Sequence, residues 1–150
     1  MRAPRQGEAQ AVTDLVVACD IHEFGAPDFE LDDLLTDWNM PGFELERDAV
    51  VVEEDGRLVA YAAFIRNDYV DVYVHPDYRE RGIGESLLAW SERRGRERAG
   101  PDGTVRLGQV VTSTSEAARR LLESRGYEPV RTYWRMSMPL EEHPPRPGWP

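Results

Sequence analysis

A change of hydrophobic period near residue 49 constrains this chain more than any other feature. Before it, apolar residues recur every three or four positions; after it, they alternate. Val50-Val51-Val52 leads into Asp55-Gly56. That dipeptide suits a two-residue hairpin, because both central positions of the turn need positive φ. Leu58 to Ile65 reads as the partner strand and Asn67-Asp68 as a second turn. Val70, Val72 and Val74 then alternate with Tyr69, Asp71 and Tyr73. Residues 49–74 are therefore expected to form an antiparallel meander, which opposes a doubly wound parallel sheet.

Around the meander the helical period rules. Ala11, Val12, Leu15, Val16 and Cys19 predict a helix over 8–24, ended by Gly25 and Pro27. Leu31, Leu34, Leu35 and Trp38 predict a second over 30–38, broken at Asn39-Met40-Pro41-Gly42. Downstream, Ile83, Leu87, Leu88 and Trp90 mark a helix over 82–98 that stops at Gly100-Pro101-Asp102-Gly103. Residues 105–111 read as a strand. Ser113 and Glu116 have the spacing of a capping box. The helix they open carries Ala118, Leu121 and Leu122 and ends at Gly126, a C-cap glycine. A last strand is expected over about 129–138, then a Pro-rich tail or linker over 141–150. The whole predicts one α/β (α+β) domain over 1–140, with a mixed, mostly antiparallel central sheet and helices on both faces. A length of 150 residues agrees with one domain.

Charge narrows the function. The net charge is −10, and all 18 basic residues are Arg. Without Lys there is neither Schiff-base chemistry nor a P-loop lysine. Residues 1–60 set 4 Arg against 15 acids, whereas 79–138 set 12 Arg against 8 acids. The acidic front argues against nucleic-acid binding, which needs a basic face. The basic half can receive a small anion, and the acidic third can attract a cationic amine. A single cysteine, Cys19, leaves no internal disulfide and no multi-cysteine zinc site, so no metal is expected. No apolar run approaches the ~20 residues of a membrane span. No apolar segment follows Met1-Arg2-Ala3-Pro4-Arg5, as it would in a secretory leader. A cytoplasmic protein with no membrane partner is expected.

The segment that carries chemistry is Val74-His75-Pro76-Asp77-Tyr78-Arg79-Glu80-Arg81-Gly82-Ile83-Gly84-Glu85-Ser86. A strand ends, a turn holds two glycines, and a helix begins. Free amides and the dipole at a helix start attract anions, and Arg79 and Arg81 can add charge-assisted bonds to phosphate. A Rossmann turn is opposed by Leu87 in place of the third glycine and by the lack of an acid after Val110-Val111. The strand, VHPDYR, and R-x-x-G-x-G on a helix start resemble the GNAT family of N-acetyltransferases, and the element order follows that family across nearly the whole chain. The family's second signature is present in altered form from Ser115 through Ala118 to Gly126-Tyr127. More loosely, 131–136 running into the Pro-rich end resembles one half of tandem GNAT proteins of the mycothiol-synthase kind.

The resemblance implies a GNAT fold and transfer of an acetyl group from acetyl-CoA to the amine of a small-molecule acceptor. It implies that pyrophosphate sits on the amides of about Glu80, Arg81, Gly82, Ile83, Gly84, Glu85 and Ser86, with the Arg79 side chain also binding the cofactor. The pantetheine arm would pair with Val72, Tyr73 and Val74 like an added strand, with Ser115 where members usually carry asparagine. A homodimer or a second GNAT domain is the implied partner. The first strand of the family would be very short here. The tyrosine that many members use as acid toward the departing thiolate aligns with Leu122, so a degenerate domain that binds CoA for a structural or regulatory role is the alternative.

An amine must lose a proton before it attacks a thioester. Asp71 is the first candidate base, because it alternates with the valines beside the acyl group; Glu53, Glu54 and His22 follow. Backbone N–H groups near Tyr73 would hold the oxyanion. Tyr127 or Tyr133 could replace the missing acid. Other features have plain readings: Cys19 as a buried thiol, His75 as a strand-end surface residue, Trp38, Trp90 and Phe43 as packing, and Arg93-Arg94-Gly95-Arg96 as a solvated helix face.

Overall fold

A computed structural model describes residues 1–65, 69–99, 103–136 and 138. Its elements are α1 (Ala9–Phe24), α2 (Leu31–Trp38), α3 (Leu45–Asp48), β1 (Ala49–Glu54), β2 (Arg57–Phe64), β3 (Val70–Val74), α4 (Ile83–Ala99) and α5 (Glu116–Ser124). The meander forms as the alternation predicts, in the order β1-β2-β3, with both pairs antiparallel. Asp55 (φ 50°) and Gly56 (φ 77°) are both left-handed and join Glu54 to its partner Arg57, the signature of a type I′ hairpin. The Asn67-Asp68 turn, the helix stop at 100–102 and the 141–150 tail lie outside the described residues.

One bulge re-aims the sheet. Pairing jumps from Val52 with Ala60 to Glu53 with Leu58, leaving Val59 as the extra residue. The Val59 carbonyl accepts the N–H of His75 at 2.9 Å, tying the end of β3 to β2. The outer edge of β1 meets Arg2, whose N–H and C=O both bond Val51 at 3.0 and 2.8 Å. This single bridge is all there is of the short first strand.

Strand parity then sorts the core into two layers. Val51, Tyr61 and Ala63 face α1 and α2 and pack with Val12, Leu15, Val16, Leu34 and Trp38. Val50, Ala62, Phe64 and Val70 face the other way and pack with Ile83, Leu87 and Trp90 of α4. Trp38 is buried and donates from Nε1 to the Tyr61 hydroxyl at 2.9 Å, so the indole satisfies its polar atom inside the core. Helices thus cover both faces of the sheet.

The two layers are joined by a buried carboxylate. The Asp48 side chain is 1% exposed, and its Oδ1 accepts from Arg94 Nε and Nη2 at 3.0 and 2.8 Å and from Arg98 Nη1 at 2.8 Å. Its Oδ2 accepts the Glu44 N–H at 3.0 Å. Burial pushes the Asp48 carboxyl up, but the Glu44 amide and the two guanidinium groups outweigh it and hold it below the usual aspartate range. Arg94 is therefore no part of a solvated face, as its sequence run suggests; α4 turns it inward to a carboxylate 46 residues away.

Three further expectations change. Over 105–111 there is one parallel bridge, Gly108 with Tyr69, and no strand. The segment is held by α4 instead: Leu107 lies so close to Gly95 that an added Cβ would approach its Cδ2 within 2.8 Å. No strand forms over the described residues 129–136. Its alternation is strand-like, but side chains alone tether it, such as Arg135 to Asp28. Both parities are exposed, Val130, Trp134 and Met136 on one and Tyr133 on the other. A strand needs a partner edge as well as a pattern. Helix α5 starts two residues late, with Ser115 rather than Ser113 as N-cap and no side-chain cap bond; Ser115 N–H is turned back to the Thr112 carbonyl. Its end is as predicted: Gly126 (φ 84°) closes a Schellman motif, with Tyr127 N–H on the Leu122 carbonyl and Gly126 N–H on that of Glu123.

Removing one member of a buried ion cluster strands its partners, at a cost of about 3–5 kcal/mol. Asp48→Ala should lose stability on that scale in chemical denaturation. The double variant Asp48→Leu with Arg94→Met should recover a large part of it. A loss under about 1 kcal/mol in Asp48→Ala would show that the cluster does not hold the layers together.

Candidate functional site

Among the described residues, strand β3 pairs with another strand on one side only. Val70 N–H bonds the Gly108 carbonyl at 3.0 Å, so Val70, and by alternation Val72 and Val74, turn their backbone groups away from β2. Among the described residues no backbone group pairs with that edge beyond Gly108. The Val74 carbonyl is taken by Arg79 Nε at 3.3 Å and approached by Cys19 Sγ at 3.4 Å. The result is an open wedge presenting the Val72 N–H and C=O and the Val74 N–H. Tyr73, by the same parity, spends its N–H on β2, so the edge donors are the valines rather than the tyrosine named from sequence.

The wedge runs into the glycine turn. A short 3₁₀ turn, Pro76–Tyr78, leads to Glu80 (φ 60°) and Gly82 (φ 78°), both left-handed, and α4 begins at Ile83. Glu80 holds a conformation that L side chains resist, which points to a backbone shaped for a task. The first-turn amides of Ile83, Gly84 and Glu85 have no intrahelical acceptor. Ser86 does not belong with them: its N–H and hydroxyl both bond the Gly82 carbonyl at 3.1 Å. Gly84 faces α5, where an added Cβ would meet Leu121 Cδ2 at 3.4 Å, so its smallness also serves helix packing.

The two arginines of the motif divide the work. Arg79 Nη2 pairs with Glu23 Oε1 at 2.7 Å, and the side chain straps α1 to the turn. Arg81 is exposed, stacks over Tyr78 at 4.8 Å, and has its nearest carboxylate, Glu54, at 3.9 Å. Arg81 is thus the guanidinium available to an anion. Ser115 lies at the N-terminus of α5, half-buried. Gln109, which sequence reasoning passed over, follows the Gly108 bridge, and its Nε2 is buried without a hydrogen-bond partner.

Asp71 pairs with Ala63 and takes the α1/α2 face with Tyr61 and Tyr73, whose rings stack at 6.5 Å. Burial first, and the Asp71 charge after it, push the Tyr73 hydroxyl above its ordinary range, so it stays protonated near neutrality. Cys19 is buried and its thiol is pushed up to about 11, chiefly by burial, as befits a packing residue. Glu53 is committed to Arg2 at 2.7 Å, and His22 is exposed at the end of α1. Leu122 sits half-buried on α5. Tyr127 Oη is buried against α4, and its hydroxyl is raised by burial, then by Glu92. The Tyr133 hydroxyl is lowered by Tyr69 first and then by Arg131, whose Nη1 is 3.4 Å away.

His75 is buried, contrary to its surface reading. Its Nε2 lies 3.0 Å from Arg57 Nη2, and its Nδ1 is 3.2 Å from the Asp77 N–H. Both neighbours are donors, whereas a neutral imidazole can accept at only one nitrogen. The Asp77 carboxylate, 3.8 Å from Nδ1, favours a proton on the ring, but burial and then Arg57 outweigh it and lower the pKa.

Comparison with known proteins bears on this geometry. The Acetyltransferase (GNAT) family profile matches residues 9–127. The chain belongs to the GNAT acetyltransferase family. It is 35% identical over 117 residues to a mycothiol acetyltransferase of Pseudarthrobacter chlorophenolicus, covering 78% of this chain and 29% of that protein. The GNAT chain therefore spans under a third of that relative's length. A GCN5-related N-acetyltransferase from Sphaerobacter thermophilus superimposes with a TM-score of 0.75 at 35% identity, over 87% of this chain and 43% of that one. A putative acetyltransferase from Salmonella typhimurium, solved with its cofactor acetyl-CoA, shares the fold with a TM-score of 0.63 at 22% identity, over 85% and 78% of the two chains.

His75 sets a pH dependence for this GNAT domain. Its folded pKa lies below the ordinary 6.5, so the unfolded chain takes up the proton first on acidification. The stability it contributes is present above about 6.5 and is lost as pH falls below that value. His75→Gln should flatten that limb of a stability–pH curve relative to wild type. Identical curves for the two proteins would show that His75 is not the group responsible.

Proposed function

We propose that this GNAT domain, over 1–140, transfers an acetyl group from acetyl-CoA to the amine of a small-molecule acceptor. The observation that carries the reading is the open β3 edge running straight into the orphan amides at the start of α4. The residues present suit the donor molecule: a strand edge for an amide-bearing arm, and first-turn amides and Arg81 for its pyrophosphate. When bound, acetyl-CoA supplies a thioester whose carbonyl carbon the amine attacks.

The chain's own groups then have distinct tasks. Ile83, Gly84 and Glu85 offer N–H bonds to phosphate oxygens, and Arg81 adds charge. The Val72 or Val74 N–H is aimed along the edge and can polarise an acyl carbonyl. Asp71 takes a proton from the acceptor amine, directly or through water. The acidic first third draws a cationic amine toward it. A second reading, a domain that binds CoA without catalysis, is favoured by Leu122, whose side chain has no proton to give. The resemblance of 131–136 to tandem GNAT proteins, with only 29% of the mycothiol acetyltransferase relative covered, makes a second GNAT domain the partner to look for.

Acetyl-CoA should raise the melting temperature of the purified chain in a saturable way. No shift at millimolar acetyl-CoA would remove both readings. With an amine that releases free thiol, Asp71→Asn should lose roughly 10²-fold in turnover while acetyl-CoA affinity stays unchanged, the lower end for a general base. Full activity in Asp71→Asn would transfer the role to another group. Leu122→Tyr should speed turnover by at least 10-fold, because a positioned acid is worth about 10²–10⁴-fold and a thiolate is a mild leaving group. A wild type that already turns over quickly, with no gain from tyrosine, would place the acid elsewhere.

A further inference from the structure

Segment 129–136 has no strand partner, yet two of its side chains are seated. The Tyr133 hydroxyl is hydrogen-bonded to Tyr69 and to Arg131. Two residues on, Arg135 Nη2 pairs with Asp28 Oδ1 at 2.5 Å, and its Cζ lies 5.2 Å from the centre of the Phe24 ring. Phe24 ends α1 with its ring exposed, and Asp28 follows in the loop behind Gly25. That loop is held in place, because the Asp28 N–H donates to Oδ2 of the buried Asp20 at 3.1 Å. A ring face and a carboxylate thus make one seat for a planar cation, and the chain's own guanidinium fills it. Glu23, on the same turn of α1, is spent on Arg79 at 2.7 Å.

The seat adjoins the candidate base. Tyr69, Asp71 and Tyr73 share the α1/α2 face of β3 by parity. Behind the larger effect of burial, the Arg135 charge is felt at Asp20, and the charges of Asp71 and Asp20 are both felt at the Tyr73 hydroxyl. The stretch from Tyr133 to Arg135 therefore runs from the Tyr69 end of that face to the Asp20 and Tyr73 end, across Asp71. Its tethers are of a weak kind. The Arg135 and Asp28 side chains are 58% and 53% exposed, where an ion pair is worth little and salt screens it. Among the described residues no backbone hydrogen bond holds 129–136. We infer that 129–136 is an autoinhibitory strap: Arg135 occupies the place of an acceptor's cationic group at Phe24 and Asp28, and the acceptor opens the face by taking that place. This rests on the reading of Asp71 as the base on the acceptor side. It narrows the acceptor to a molecule that carries a guanidinium or ammonium group apart from the amine that reacts.

The probe is agmatine, which carries a guanidinium and a primary amine on one short chain, titrated by calorimetry at low salt without turnover. Arg135→Ala should bind it about 10-fold more tightly than wild type, the joint weight of an exposed ion pair and a cation–π contact. Arg135→Gln, of similar length and without charge, should repeat the gain and serves if the alanine variant does not fold. Adding Asp28→Asn to Arg135→Ala should abolish the gain. In the wild type, the Arg135 side-chain proton signals, displaced by the ring current of Phe24, should return to unshifted positions as agmatine saturates. Equal agmatine affinity in wild type and both Arg135 variants, a gain that survives Asp28→Asn, or Arg135 signals unmoved at saturation would each overturn the strap. A wild type that shows no melting shift with acetyl-CoA while keeping the agmatine split would overturn the acyl-transfer reading and support the strap alone.

Discussion

The rest of the structure hangs on a carboxylate buried between two layers. Asp48 closes α3 through the Glu44 amide and reaches across to Arg94 and Arg98 on α4. It sits at the residue where helix gives way to β1. One side chain thus sets where the sheet starts and how α4 crosses its face. Because α4 is rigid, fixing Arg94 also fixes the helix start three turns earlier, against the end of β3. The site is a consequence of this anchoring: a strand edge and a helix N-terminus meet because a buried charge leaves α4 one place to lie. Such clusters contribute geometry more than net stability.

Within that frame, the site is made of backbone more than of side chains. The Val72 N–H and C=O and the first-turn amides of α4 are polar groups without backbone partners among the described residues. The polar side chains nearby are largely committed: Arg79 to Glu23, Ser86 to Gly82, Glu53 to Arg2. A ligand built of amides and phosphates suits unpaired backbone, since it repeats the bonds a strand and a helix cap would make. The same logic explains why 105–111 leaves β3 after one bridge. Leu107 is seated on Gly95 of α4, which draws the segment off the sheet plane and opens the wedge.

The donor-rich ring around His75 is a second consequence of the bulge at Val59. Taking the His75 N–H onto the Val59 carbonyl brings the ring under Arg57 and the Asp77 amide, where it is held neutral. The turn that follows contains the left-handed Glu80 and Gly82. Strain and frustrated donors therefore collect in one short stretch next to the open edge, while α1, β2 and the body of α4 are conventionally satisfied.

By itself the sequence determined what depends on local chemistry. Period two against period three or four separated the meander from the helices. Asp55-Gly56 set the hairpin, Gly126 set the end of α5, and the two glycines after an arginine marked the turn before α4. These are properties of neighbouring residues, legible because φ preferences and side-chain alternation act over a few positions. Tertiary structure decided whatever depends on a distant partner. The pattern of 129–136 is strand-like, yet no edge is offered to it. Arg94 reads as a surface charge until Asp48 is placed beneath it, and His75 as a strand-end residue until Arg57 is brought over its ring. Gln109 carried no signal in one dimension, since only burial without a partner sets it apart. A hydrogen bond, an ion pair or its absence is a relation between residues tens of positions apart, and that relation exists only once the chain has folded.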